Sequence, residues 1–112
     1  MATALVYAIK FVADMEAAIR FHTSQLGLTL RFQSPEWTEF ETGQTTLALH
    51  AASPENPAGT CQLGFRVDDV DAFVAERGSR GVVIVAPPAN VHGQKIAKLA
   101  DPDGAHFSVS GR

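Results

Sequence analysis

The sequence predicts an α+β fold made of two similar modules, each a strand, a helix and three further strands. Three observations predict it. The order of apolar periodicities runs strand-helix-strand-strand-strand and then starts again. The first strand of each half leaves through a similar segment, "FVAD" at 11–14 and "FRVD" at 65–68, where an aspartate is placed to cap a helix. One linker-like stretch, "ASPENPAG" at 52–59, separates halves of about equal size, roughly 1–52 and 60–112.

"TALVYAIKFVA" (3–13) is rich in apolar and β-forming residues and reads as the first strand. Asp14 is the expected N-cap. Met15, Ala18, Ile19 and Leu26 follow at helical spacing, Phe21 and His22 continue the same helix with His22 at its surface, and Gly27 is the expected C-cap. "LTLRFQ" (28–33) alternates as a strand, and Ser34-Pro35 turns the chain into a third strand, "WTEFET" (37–42). Gly43-Gln44 makes a tight turn into "TTLALHA" (45–51). In the second half, "CQLGFRV" (61–67) places Leu63, Phe65 and Val67 on one face. Asp68 or Asp69 caps a helix that carries Val70, Phe73 and Val74 and stops near Gly78. "GVVIVAP" (81–87) is a strand that Pro87-Pro88 is expected to break. "GQKIAKLA" (93–100) and "AHFSVS" (105–110) form a closing hairpin around Asp101-Pro102-Asp103-Gly104. One face of each sheet packs on its helix, and the other must be covered or form a cleft.

Length and composition set the class. A chain of 112 residues makes one domain with a modest core, so self-association would help its stability. Apolar content of 46% and charged content of 19% describe a globular protein. The net charge is −3 and the Lys and Arg residues are scattered, which argues against nucleic acid as a partner. Cys61 is alone and makes no internal disulfide; a reducing compartment is the default. The N-terminal segment has no basic region or small-residue cleavage pattern, and no apolar run approaches the ~20 residues of a membrane helix. The expectation is a soluble, cytoplasmic protein with no membrane partner.

"FVADMEAAIRFHTSQLGL", "GQTTLALH", "FRVDDVDAFVAERGSRG" and "GQKIAKLADPDGAHFSV", taken in order, resemble the vicinal oxygen chelate superfamily. That group includes glyoxalase I, extradiol dioxygenases, and fosfomycin- and bleomycin-resistance proteins. The resemblance covers nearly the whole chain. It implies two βαβββ modules with curled mixed sheets that form a cup, helices on the outer face, and pairing as a homodimer. In the enzymes a divalent metal sits on the cup floor, held from the first and last strand of each module. Carried over by position, the ligand sites fall on Tyr7, on Ala48 (or His50 if the strand shifts by one pair), on Gln62 and on Ser108, where the enzymes generally have Glu. These offer a phenol, an amide and a hydroxyl, but no anion, and neutral oxygens hold a transition metal poorly. The expectation is therefore no metal and no other cofactor. A set of His50, Gln62 and His106 is the alternative that would suit zinc or nickel.

If Tyr7 faces the cup, alternation brings Leu5, Ile9 and Phe11 with it, then Thr46, Ala48 and His50, then Gln62, Gly64 and Arg66, then His106, Ser108 and Ser110. Apolar walls with a few polar groups suit an organic ligand. The candidate ligand-binding residues are thus Tyr7, Trp37, His50, Gln62, Arg66, His106 and Ser108. Tyr7 and His50 are the candidates for acid–base chemistry. Each also has a structural reading. Tyr7 can be a core residue bonded to a carbonyl, and His50 and His106 can be solvated strand-end histidines. Arg66 can pair with Glu39 or Glu41, or meet an anionic ligand group. Trp37 can stack on a flat ligand or pack at a dimer interface. Cys61, opposite Gln62 on its strand, is expected to pack against a helix or an interface. Asp101 and Asp103 are expected to accept backbone hydrogen bonds in their turn. The leading function is a bleomycin-resistance-type protein, metal-free, that holds a small organic ligand. The alternative is a glyoxalase-like lyase or isomerase, or a dioxygenase-related enzyme, with an atypical metal site or none.

Overall fold

The structure, a computed structural model, describes residues 3–112. Met1 and Ala2, with which the first module begins, lie outside the described residues. The chain divides into two compact units: Tyr7–Cys61, and Gln62–Arg112 together with the start of the first strand as far as Val6. The architecture is α+β, and each unit is taken in turn.

In the first, β1 (Ala4–Val12), which belongs to this unit from Tyr7 on, leads into α1 (Met15–Arg20), followed by β2 (Thr29–Phe32), β3 (Trp37–Glu41) and β4 (Thr46–Ala51). Strand order is β2-β3-β4-β1. β1 and β4 are parallel, and the other two pairings are antiparallel. Asp14 caps α1 by accepting from the Ala17 amide at 3.1 Å. The α-helix is shorter than its periodicity predicts, because Phe21–Gln25 continue as a π-helical turn. The turn swings His22 inward, where it is 3% exposed and not at the surface. Its Nδ1–H donates to the Ala18 carbonyl at 2.7 Å, so Nε2 accepts from the Lys10 ammonium at 3.2 Å. The ring stacks on Phe40 with centroids 5.3 Å apart. Ile19, Phe40 and Leu49 are the buried centre between helix and sheet, joined by Val12, Met15, Ala18, Leu28 and Leu47. The 52–59 stretch is tied down at its end: the Gly59 amide donates to Phe11, and Phe11 donates back to Thr60, both at 2.9 Å.

The second unit repeats this plan. β5 (Cys61–Val67) leads into α2 (Val70–Ser79), then β6 (Val83–Val91), β7 (Gln94–Ala100) and β8 (His106–Gly111). Strand order is β5-β8-β7-β6, with β5 and β8 parallel and the others antiparallel. Asp69, not Asp68, is the cap: its side chain accepts from Ala72 at 3.0 Å. The core is Val67, Val70, Ala97, Leu99 and Val109. Pro87-Pro88 do not break β6. The pairing with β7 jumps from Ala86–Lys98 to Ala89–Ile96, so both prolines sit inside a bulge on a strand that pairs on one side only within its unit. In the closing turn, Asp101 Oδ1 accepts from the Asp103 and Ala105 amides, each at 2.9 Å. Asp101 therefore does the accepting that was expected of both aspartates. Cys61 is exposed and does not pack. Among the described residues no helix is long and apolar enough to cross a membrane.

Gly111 fixes the end of the β5–β8 pairing. It faces Val67, and a Cβ there would lie 2.0 Å from the Val67 carbonyl oxygen. The next residue is tied as well, since the Val70 amide donates to the Arg112 carbonyl at 2.8 Å. Gly111→Ala is expected to cost about 1–3 kcal/mol in urea unfolding, the usual range for a methyl forced into a packed site.

Candidate functional site

The helix-free sheet face of the first unit carries an aromatic group. Tyr7, Ile9 and Phe11 alternate along β1, and Ile9 pairs with Ala48 while Phe11 pairs with His50. His50 pairs in turn with Trp37 on β3. Ile9, Phe11 and Ala48 are buried on this face, with Tyr7, Trp37 and Ala52 packed beside them. Edge-to-face contacts join Tyr7 to Trp37 (5.5 Å) and Trp37 to His50 (5.9 Å), and Phe11 lies 5.4 Å from His50. Local sequence sets the tryptophan in place. Ser34 accepts from the Trp37 amide at 3.0 Å and donates to its carbonyl at 2.7 Å. Two residues on, and so on the same face, Glu39 accepts from the indole N–H at 2.8 Å.

Glu39 also anchors Arg31. The guanidinium donates to Glu39 at 3.0 and 3.2 Å, to Glu41 at 3.2 Å and to the Thr46 hydroxyl at 2.5 Å. Its hydrogen bonds to the Glu39 carboxylate are the main cause that raises the Arg31 pKa above its ordinary value. Glu39 and Glu41, weighed above as partners for Arg66, are thus taken by Arg31. The fork stands at the Thr46 level of the sheet, the pair opposite Tyr7. His50 Nδ1–H donates to the Ala51 carbonyl at 2.8 Å, which leaves Nε2 as the lone-pair nitrogen of the neutral ring. Alternation in the sequence brings Tyr7 and His50 to one face and leaves Trp37 a separate candidate; it does not point to Arg31, which sits where the β2–β3 register shifts.

The second unit has its own helix-free face. Val67, Ala97, Leu99 and Val109 point to the helix, so the even-numbered residues of β5, β7 and β8 point away. Ser108 pairs with Gly64 on one side and Lys98 on the other; Ser110 pairs with Arg66 and Ile96; His106 pairs with Ala100. Gln62 shares the Gly64 face. Gly64 is buried, Gln62, Lys98 and Ser108 are half-buried, and Arg66 and His106 are exposed. The Ser110 hydroxyl donates to the Phe65 carbonyl at 3.4 Å. Lys98 was missed in the sequence, although counting back two residues on each arm of the hairpin from the Ala100–His106 pair places it opposite Ser108.

The residues at the superfamily's metal positions do not fit a divalent ion. Tyr7 is a phenol, Ala48 has no donor, Gln62 is an amide and Ser108 a hydroxyl. In the second unit a lysine stands directly opposite the serine. Neither unit's pair, Tyr7 with Ala48 or Gln62 with Ser108, supplies an anion to offset a metal's charge. Among the described residues no three His, Cys, Asp or Glu side chains gather to hold an ion.

Comparison with known proteins gives a consistent result. Residues 4–109 match the family model described as Glyoxalase/Bleomycin resistance protein/Dioxygenase superfamily. The chain is 31% identical over 107 residues to "Putative glyoxylase CFP32" of Mycobacterium tuberculosis, which covers 84% of this chain and 38% of that protein. The chain thus spans about two fifths of the length of the curated relatives it matches. Among solved structures, methylmalonyl-CoA epimerase from Mycobacterium tuberculosis superposes with a TM-score of 0.78 at 20% identity, covering 96% of this chain and 87% of that one. A glyoxalase/bleomycin resistance protein/dioxygenase superfamily member from Vibrio splendidus 12B01 gives 0.71 at 15% identity, covering 99% and 100%. At these identities the likeness is one of fold.

Proposed function

This chain belongs to the Glyoxalase/Bleomycin resistance protein/Dioxygenase superfamily, and on that premise we propose that it binds a small organic molecule, in the manner of the bleomycin-resistance type, without a divalent metal. The observation that carries the reading is the aromatic group of Tyr7, Trp37 and His50, braced by Glu39 on the helix-free face of the first unit. Aromatic walls with few, fixed polar groups suit a flat organic ligand. The donor set at the superfamily's metal positions supports the metal-free part. The reading includes a homodimer, supported by Phe21, Leu26 and Phe32, which are each about half exposed. It also includes a cytoplasmic setting, which suits the lone exposed thiol of Cys61.

A thermal-shift screen of the full chain against cytotoxic antibiotics, aromatic metabolites and their anionic derivatives tests it. A ligand at a hundred times its Kd adds about 2.7 kcal/mol to stability, which reads as a rise of several degrees in Tm. No stabilising compound in a broad library would contradict the reading. The second reading, a lyase or isomerase, rests on His50, whose Nε2 carries the lone pair, and on Tyr7, which joins the same aromatic group through Trp37; either could move a proton. Turnover that a chelator or Tyr7→Phe abolishes would favour it.

A further inference from the structure

The helix-free face of the second unit has a charge pattern that the family's metal chemistry would not use. None of its four strands carries a carboxylate: "CQLGFRV", "VIVAPPANV", "QKIAKLA" and "HFSVSG" contain no Asp or Glu. The carboxylates of this unit stand elsewhere, at the exit of β5 (Asp68, Asp69), on α2 (Asp71, Glu76) and in the closing turn (Asp101, Asp103). Against that, the face holds Lys98 and Arg66, with His106 at its end. The unit's other strand lysine, Lys95, is on the helix side and bonded to Asp71. No described carboxylate pairs with Lys98 or Arg66, although Lys98 is half-buried. A lysine with its stem partly covered and no counter-charge offers its ammonium to an arriving anion.

The register shows where such an anion would sit. Ser108 is the centre, with Lys98 directly opposite on β7 and Gly64 directly opposite on β5. Gly64 has no side chain, so no β5 side chain crowds the Ser108 hydroxyl from that strand. Arg66 stands two pairs further along, and so on the same face, beside Ser110. With strands about 4.8 Å apart and ~6.6 Å between alternate residues, the Lys98 and Arg66 backbones are roughly 12 Å apart. Their long side chains can therefore close on one group above Ser108 and Gly64.

We propose that this face binds the oxyanion group, carboxylate or phosphoryl, of the protein's small-molecule ligand, with Lys98 as the principal charge, Ser108 as a hydroxyl donor and Arg66 as the second cation. The proposal rests on the small-molecule reading above and names the chemical class of the ligand. It reverses the polarity of the site: where metal-using relatives would place a carboxylate to hold a cation, this chain has a serine beside a lysine to hold an anion.

The test is a titration of the ¹⁵N-labelled full chain with phenyl phosphate and with benzoate, followed by amide shifts. Saturable shifts at Gly64, Lys98 and Ser108 are expected with at least one of the two, and the better probe identifies the group. Lys98→Gln is expected to weaken that probe about tenfold or more, the loss of one charge-assisted hydrogen bond. Lys98→Arg is expected to keep most of the affinity. A dispersed spectrum for each variant confirms folding. No saturable shift at these amides with either probe, or equal affinity in Lys98→Gln, would overturn the proposal. A parallel titration with neutral indole, read at Tyr7, Trp37 and His50, separates the two claims. Indole binding without anion binding removes only the anion site, and the small-molecule reading falls as well only if the broad thermal-shift screen also yields no stabilising compound.

Discussion

Phe40→Ala is expected to destabilise the protein by about 3–5 kcal/mol, the range for emptying a fully buried aromatic site. Phe40 has no exposed surface and stands on β3 between Ile19 of α1 and Leu49 of β4. It pairs with Leu30 and Leu47 across the sheet, so the cavity would open against both neighbouring strands. The adjacent residue Glu39 braces Trp37 and Arg31 on the opposite face. Loss of packing under β3 should therefore also loosen the aromatic group. Chemical unfolding gives the stability, and Trp37 emission in the folded state reports the loosening. A loss below about 1 kcal/mol would mean that the core collapses around the gap.

His22→Ala is expected to cost about 2–4 kcal/mol, though His22 reads in the sequence as a surface residue. Three terms contribute. The ring's contact with Phe40 is lost, the buried volume is left empty, and Lys10 loses the acceptor that its half-buried ammonium uses. His22→Leu fills the volume but leaves Lys10 without that acceptor, so it should recover only part of the loss. Lys10→Met added to His22→Leu removes the orphaned charge and should recover more. His22 and Phe40 touch, so the double variant His22→Ala, Phe40→Ala should lose less than the two single losses together, by at least about 0.5 kcal/mol.

What was legible in the sequence and what was not divides along physical lines. Strands with long alternation, such as β1 and β5, and the Asp14 cap, with one aspartate at the right place, are legible because local chemistry decides them, whereas at the second helix the sequence leaves Asp68 and Asp69 open. The repeated strand-helix-strand-strand-strand order led to the α+β fold for the same reason. Three local features were overridden. The π turn at Phe21–Gln25 arises where His22 turns inward to Lys10 and Phe40, residues distant in sequence. The prolines of β6 point to a strand end, but a bulge on a strand that pairs on one side within its unit accommodates residues without an N–H. Cys61 is apolar by type and yet exposed at the first position of β5.

The candidate site was legible in its faces rather than in its partnerships. Alternation placed Tyr7, Ile9 and Phe11 together, and turn chemistry placed Ser108. Alternation does not say which charge finds which: Glu39 and Glu41 meet Arg31 through the β2–β3 pairing, a contact set by a bulge. Lys98 could have been found, because a hairpin closed by Asp101–Gly104 fixes its register from either arm. Its significance rests on the absence of acidic residues from all four strands of that sheet.

The central claim is that the chain binds an organic molecule without a metal. Trp37, the only tryptophan, stands within the aromatic group and reports on it directly. The decisive measurement is a fluorescence titration of Trp37 with the strongest stabilising compound from the thermal screen, run with and without excess EDTA. A saturable change at one ligand per chain, with the same midpoint in both series, is the predicted result. A titration that never saturates, or one that EDTA abolishes, would contradict the account.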